Sequence, residues 1–363
     1  MADAPRTSSQ PVRHRFLLAF GAVLVTLALS EAVLRLRPVK LQHTWLLTTH
    51  IAVLNPDLIY AKPAHLDPAY YRRAENLPNV ITIGDSFTAS FPVRKPRKYP
   101  LQLARILAQN DAPMNVIDLG LGDSGPDQHL RLFEEYALKY VRPDIVIWQL
   151  YTNDLWDNVE KQVLTIKSGR LEPQSALHNW LYWRQLMYDL TPLPMSVKYN
   201  SALYRNLLKA TEAGMRAQLP AEYARNPDGW ALAKLRLELD EMERLGREHN
   251  FRTYFVVVPP QATYIDGRYG GGNDLEHVRK RDAMLRERVA QRPGFIDFRL
   301  QQRGAEPVAE YFYSSDKRDH NRLGDRHLNR AGYRAMAEQI AARVLADWRS
   351  RADAVASARP AVP

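Results

Sequence analysis

Asn79-Val80-Ile81-Thr82-Ile83-Gly84-Asp85-Ser86-Phe87-Thr88 is an apolar run that stops abruptly at Gly-Asp-Ser. Val80, Ile81, Thr82 and Ile83 are β-branched and Pro78 bounds them upstream, which predicts a buried strand. A serine just past the carboxyl end of such a strand stands where open α/β sheets place their ligands. Gly84 permits a tight turn there and leaves the Ser86 amide able to meet a developing negative charge. Phe87-Thr88 follows the serine, so this is not the G-x-S-x-G elbow of the α/β-hydrolases.

Working outward, the run is the first of several alternating strands and helices. Tyr99 to Asn110 carries Leu101, Leu103, Ile106 and Leu107 on one helical face. Met114 to Leu119 reads as a second strand, ending in Gly120-Leu121-Gly122-Asp123-Ser124-Gly125. Pro126 then opens a helix in the favoured first-turn position. Asp144 to Leu150 is a third buried strand, stopping at Tyr151-Thr152-Asn153-Asp154. Further on, Trp230 to Asn250 is helical, Thr253 to Val258 a strand, Leu275 to Gln291 a helix and Gly294 to Phe298 a strand. A last helix runs from about Asn329 to Trp348. This alternation predicts a parallel sheet with helices on both faces. Between the third and fourth strands regularity breaks. A small hairpin is expected over 163–171, then an aromatic cluster (Trp180, Tyr182, Trp183, Tyr188) and a helix over 201–213. Residues 160–227 are therefore read as a helical insertion, with a lid or a carbohydrate-stacking surface as its functional alternative.

The amino terminus bears on location. After Arg13-His14-Arg15 an uncharged apolar stretch runs from Phe16 to Ser30 and extends to Leu36 if Glu31 and Arg35 lie at a snorkelling end. Residues 16–36 are expected to be a transmembrane signal anchor, with 1–15 in the cytoplasm and the rest exported. A cleaved signal peptide, cut near Ala28-Leu29-Ser30, is the rival. Residues 39–76 read as a lead-in and 349–363 as a disordered tail. The formal charge of +10 suits an anionic membrane surface or an acidic polysaccharide. With no aromatic-basic motif or zinc spacing, nucleic acid is not expected as a partner. The absence of cysteine excludes disulfides, thiolate catalysis and cysteine metal sites. No cofactor is expected, and the oligomeric state is not legible.

In a parallel sheet, Ser86, the Gly122 turn and Asn153-Asp154 line one edge. Acyl transfer there would need a nucleophile, a base, an orienting acid and donors for an oxyanion. Among ten histidines, His327 alone has the right setting. It lies in a loop before the last helix, with Asp325 two residues ahead to fix its tautomer and Asn329 available as helix N-cap. Asp316, Asp319 and His320 form a second acidic-histidine cluster, read as solvated loop with metal ligation as its alternative.

Gly84-Asp85-Ser86, a glycine turn, Asn153-Asp154 and Asp325-x-His327 resemble, in order and context, the four blocks of the SGNH hydrolase superfamily (GDSL-type esterases). The resemblance spans residues 77–345 and implies a flavodoxin-like three-layer α/β/α sandwich with a mostly parallel sheet. It also implies Ser86 as nucleophile, His327 as base and Asp325 as its partner. The amides of Ser86 and Gly122, with the Asn153 side chain, would hold the oxyanion. Asp123 or Gly125 could take the Gly122 register. Three departures stand out. Tyr151 occupies a position that is usually glycine, and Asp325 precedes His327 by two residues rather than three. Gly271-Gly272-Asn273-Asp274 mimics the third block but follows no strand. The expected activity is removal of O-acyl groups, acetyl above all, from an envelope carbohydrate or small ester. An O-acyltransferase with the same triad and a non-catalytic glycan-binding or assembly protein on the same fold are the alternatives.

Overall fold

The computed structural model describes residues 10–35, 53–71, 76–90, 93–175, 179, 181–183, 201–204, 206–207, 209–210, 221–264, 275–300, 311–312 and 327–357. The chain forms two compact units. One comprises Met1–His50 with Trp180–Leu219, the other Ile51–Asn179 with Pro220–Pro363.

Among the described residues the larger unit holds nine strands: β1 (Val53–Asn55), β2 (Ile59–Ala61), β3 (Asn79–Gly84), β4 (Asn115–Gly120), β5 (Ile145–Leu150), β6 (Leu164–Lys167), β7 (Arg170–Pro173), β8 (Arg252–Val257) and β9 (Phe295–Ile296). Five of them make an all-parallel sheet in the order β4-β3-β5-β8-β9. Numbered by sequence within the sheet this is 2-1-3-4-5, the flavodoxin-like order, and it puts the topological switch point between β3 and β5. Every residue of β3 and β5 is buried, as expected of strands covered on both faces.

Alternate residues of these strands feed two cores. Ile81, Ile83, Val146, Trp148, Phe255 and Val257 pack with Leu130 and Phe133, with Leu235, Leu239 and Met242 of the helix Pro227–His249, and with Leu285. Val80, Ile145, Ile147, Tyr254 and Val256 pack on the other face with Leu103 and Leu107 of the helix Tyr99–Gln109. Met336, Ile340 and Val344 of the last helix complete that layer. The period of two in the strands therefore produces a three-layer α/β/α sandwich, as read from the sequence.

Two details differ from the sequence reading. The last helix is Arg330–Ser357, so the segment from Arg349 expected to be disordered is helical as far as Ser357. Alanine and arginine are strong helix formers and carry the helix past its last core contact. Residues 358–363 lie outside the described residues. Within the 39–76 lead-in, β1 and β2 form a hairpin whose Leu58, Ile59 and Ala61 are wholly buried, so this part belongs to the domain. The hairpin expected over 163–171 forms as β6 and β7, with Lys167 paired to Arg170 across the turn.

In the smaller unit the helix Gln10–Arg35 contains Arg15–Val33, a span long and apolar enough to cross a membrane, with none of its side chains buried. Residues 202–204, 206–207 and 209–210 are helical. Glu31 accepts hydrogen bonds from Ser201 Oγ (2.8 Å), Ala202 N (2.7 Å) and Leu203 N (2.8 Å). A carboxylate thus satisfies the first free amides of the inserted helix, where the helix dipole favours negative charge.

Candidate active site

The site is a consequence of sheet register. β3 pairs with β4 through Gly84↔Gly120 and with β5 through Ile83↔Trp148. Ser86, Gly122 and Asn153 therefore leave neighbouring strands at the same edge, around the switch point. Gly84 has φ +153°, and a side chain there would strike Thr88 and Gln149. Gly120 is needed for a different reason, because a Cβ would run into the backbone of Thr88 and Ala89. The turn after β3 is closed by Ala89 N donating to Asp85 O (3.0 Å) and by Thr88, whose N and Oγ1 both donate to Gln149 Oε1 (3.1 and 2.9 Å).

His327 Nε2 lies 2.7 Å from Ser86 Oγ, across 241 residues of chain. This is the separation at which an imidazole can take a hydroxyl proton. Ser86 is 8% exposed and His327 is half-buried. The Phe87 ring stacks on His327 (centroids 4.9 Å) and on Tyr151 (4.3 Å). Tyr151 is buried against Phe87 in this wall. Leu328 bridges to Phe312, and Asn329 Oδ1 caps the last helix by accepting from Ala331 N (2.8 Å) and Gly332 N (3.2 Å). His327 is thereby held on a loop tied at its far end.

Asp325 lies outside the described residues, as do Asp316, Asp319, His320 and the Gly271-Gly272-Asn273-Asp274 stretch. Gly122 is in the turn after β4, and among the described residues neither its N–H nor that of Ser86 has an acceptor. Asn153 begins the helix Asp154–Glu160, and its Nδ2 donates to Asp157 Oδ2 (2.7 Å). One amide hydrogen is thus committed to orientation, and the same amide also acts on the buried Asp85 carboxyl. Among the described residues no cluster of acidic and histidine side chains could hold a metal ion.

Several residues of the site had no evident signal in the sequence. Asp85 is fully buried; its Oδ1 accepts from Phe87 N (2.9 Å), while Oδ2 has no partner within bonding distance. Burial pushes this carboxyl up to about 6, partly offset by the Phe87 amide, the His327 charge and the Asn153 and Gln149 amides. Asp154 is raised too, by burial first and by the charge of Asp85 second. The native state therefore holds the Asp85 proton more tightly than the unfolded chain, which releases it near pH 4. Stability on this account falls as pH rises from about 4 to 6 and stays lowered above. Asp85→Asn keeps the acceptor for Phe87 and is expected to raise the urea midpoint at about pH 8 but hardly at pH 4. An equal change at both pH values would show that Asp85 does not titrate in this window.

A second serine-histidine pair lies in Gly122-Asp123-Ser124-Gly125. Ser124 Oγ is 2.7 Å from His129 Nε2, and Trp148 Nε1 donates to His129 Nδ1 (3.2 Å). With Nδ1 accepting, the neutral ring carries its hydrogen on Nε2 and donates to Ser124, which donates onward to Leu121 O. Burial pushes His129 down to about 3, so it stays neutral. Ser124 has no base and serves to fix the Gly122 turn. Tyr60 of the β1–β2 hairpin helps from the other side, donating to the Asp123 carbonyl.

No family model matches the chain, and no curated protein sequence does. Some solved structures align with it at low similarity. An acetyl xylan esterase, AlAXEase, aligns over 73% of this chain and 99% of its own at 17% identity and TM-score 0.40. An acetyl xylan esterase from Geobacillus stearothermophilus aligns over 72% and 92% at 14% identity and TM-score 0.35. A putative acylhydrolase from Bacteroides fragilis aligns over 77% and 93% at 11% identity and TM-score 0.35.

Proposed function

We propose that the chain is a serine-dependent ester hydrolase that removes O-acyl groups, acetyl above all, from an envelope carbohydrate or small ester through an acyl-serine intermediate. The observation that carries this reading is the 2.7 Å approach of His327 Nε2 to Ser86 Oγ at the switch-point edge.

In the first half-reaction His327 accepts the Ser86 proton as Oγ attacks the ester carbonyl. The imidazolium then protonates the leaving alkoxide, which departs as the alcohol. In the second, His327 deprotonates a water that attacks the acyl-serine, and the proton returns to Oγ as the carboxylic acid leaves. The amides of Ser86 and Gly122 and the side-chain amide of Asn153 receive the oxyanion in both steps. Asp325 would orient the base, and the buried Asp85 adds negative potential near the imidazolium. The Arg15–Val33 span is read as a single-pass inner-membrane anchor with the catalytic unit outside, a cleaved leader being the alternative.

The test is fluorophosphonate labelling of the full chain, mapped by mass spectrometry, alongside acetate release from acetylated xylo-oligosaccharides and p-nitrophenyl acetate. The expected result is an adduct on Ser86 with acetate turnover; a folded chain with neither would remove the hydrolase reading. Sugar acceptors included in the same assay report transfer instead of hydrolysis. Asn153→Ala is expected to lower kcat by about 10²–10³ with KM nearly unchanged. An unaltered kcat would take Asn153 out of the oxyanion site.

A further inference from the structure

A cavity of about 660 Å³ is lined by Val93, Arg94, Arg97, Asn329, Arg330, Ala331 and Arg334. Both of its walls continue, along the chain, from the residues of the candidate pair. Val93 to Arg97 belong to the loop that follows Ser86 from β3, and the other wall opens the last helix directly after His327. Among the described residues, four guanidinium groups line this space and no acidic side chain does. Arg334 is paired with Glu338 (2.9 Å), whereas Arg94, Arg97 and Arg330 form no ion pair among the described residues.

A cavity at the opposite edge of the sheet provides the contrast. It is also rich in arginine, but it contains Glu243 and Asp347, and Asp347 pairs with both Arg252 (2.8 Å) and Arg343 (3.2 Å). Positive charge is compensated there, whereas among the described residues it is uncompensated in the cavity of Arg94, Arg97 and Arg330. Like charges gathered without counter-charge repel one another, and they are relieved when an anion enters. Guanidinium forks suit the planar oxygen pairs of carboxylates and the oxygens of phosphates.

We infer that this cavity is an anion subsite of the same active site, and that the acyl-bearing substrate carries a carboxylate or phosphate group which Arg94, Arg97 and Arg330 hold. The inference rests on the hydrolase reading above and narrows its substrate to an acidic carbohydrate. The anion would be bound by residues that follow Ser86 and His327 along the chain, and would fix which ester of a polymer meets the nucleophile.

The test compares acetylated oligogalacturonate with acetylated xylo-oligosaccharide on the full chain in detergent. The acidic substrate is expected to have a kcat/KM at least about tenfold higher at low salt, an advantage that shrinks as salt screens it. The doubly substituted Arg97→Gln/Arg330→Gln chain is expected to lower the ratio of acidic to neutral kcat/KM by about tenfold or more, mainly through KM. Arg97→Lys/Arg330→Lys should restore part of it. Binding needs no nucleophile, so deacetylated oligogalacturonate and inorganic phosphate are also titrated calorimetrically into Ser86→Ala. Saturable binding of the first assigns a carboxylate, of the second a phosphate. Acetate release without saturable binding of either overturns this inference and leaves the hydrolase reading intact. Binding without any acetate release or Ser86 adduct sinks the hydrolase reading and keeps the anion site. Arginine-dependent binding to anionic lipid vesicles, with no binding of either soluble anion, would assign the patch to a membrane surface and overturn the inference as well.

Discussion

Ser86→Ala is expected to lower kcat for acyl-ester hydrolysis by at least about 10⁴-fold, and His327→Ala by a comparable factor. The two effects should not add, because a nucleophile without its base and a base without its nucleophile are equally unproductive. The double variant is therefore expected within a few-fold of either single one. Some catalysis over water should survive in all three, since alanine keeps the backbone amide at position 86 and leaves Gly122 and Asn153 in place. Each variant should bind substrate about as well as the native chain, since neither side chain is held by the core that shapes the pocket. The His327 ring stacks on Phe87, so glutamine at 327 is a useful second variant, filling the space without a general base. The measurement is steady-state hydrolysis of p-nitrophenyl acetate together with the burst of p-nitrophenolate, which counts acylated serines. Ser86→Ala retaining a tenth or more of native activity, or a burst persisting in it, would move the nucleophile elsewhere.

Much of this site was legible because each part follows a strand. An apolar β-branched run ending in Gly84-Asp85-Ser86 announces both a buried strand and the residue at its exit. The same holds for Leu119 before the Gly122 turn and for Leu150 before Asn153. Parallel topology then brings three sequence-distant stops to one edge without knowledge of any side-chain contact. His327 was legible for a different reason, as a histidine in a capped loop and not on a helix face. What the sequence did not reveal is the set of charges beneath the site. Lys161 and Lys234 look like ordinary solvated helix residues, because a lysine's burial depends on which carboxylates arrive from other elements. Gln149 gave a faint signal, as a polar side chain in an otherwise apolar strand, and it proves to clamp Thr88. Ser124-His129 shows the opposite failure. A second Gly-Asp-Ser lies next to a histidine in the fold, yet the hydrogen from Trp148 sets the wrong tautomer for a base. Tautomers are decided by neighbours that only the fold supplies.

Lys234→Met is expected to destabilise the larger unit by about 3–5 kcal/mol, the scale for stripping one partner from a buried ion pair. Lys234 Nζ lies 2.7 Å from Asp127 Oδ2, and both side chains are fully buried. Lys234 also donates to Asn158 O (2.8 Å) and stands 3.8 Å from Glu238, whose carboxyl burial pushes up to about 8 against the pull of Lys234. Methionine fills the volume but leaves Asp127 with backbone donors alone, from Gln128 (2.8 Å), Val163 (2.9 Å) and Leu164 (3.4 Å). At about 2–4 °C per kcal/mol for a domain of this size, the melting temperature should fall by roughly 10 °C. Asp127→Leu added to Lys234→Met should not restore it, because those backbone donors would then be orphaned in the interior. The location of this pair gives it a consequence beyond stability. Asp127 sits in the first turn of the helix Pro126–Leu132, immediately after the Gly122 turn, and Asn158 lies in the helix that Asn153 begins. Beside it, Lys161 bridges Asp123 (3.4 Å) and Asp157 (3.5 Å), and Asp157 in turn holds the Asn153 amide. Burial alone would push the Lys161 ammonium down, but Asp123, Tyr60, Asp157 and Glu160 hold it above its ordinary value. The two turns that carry the candidate oxyanion donors are thus fastened to one another by buried lysines as well as by the apolar core beneath them. An apolar core is tolerant of small displacements, whereas a lysine between two carboxylates fixes their separation to within a hydrogen-bond length. Thermal unfolding of Lys234→Met followed by tryptophan fluorescence checks the stability, and a loss under 1 kcal/mol would mean that the pair is solvated and fastens nothing.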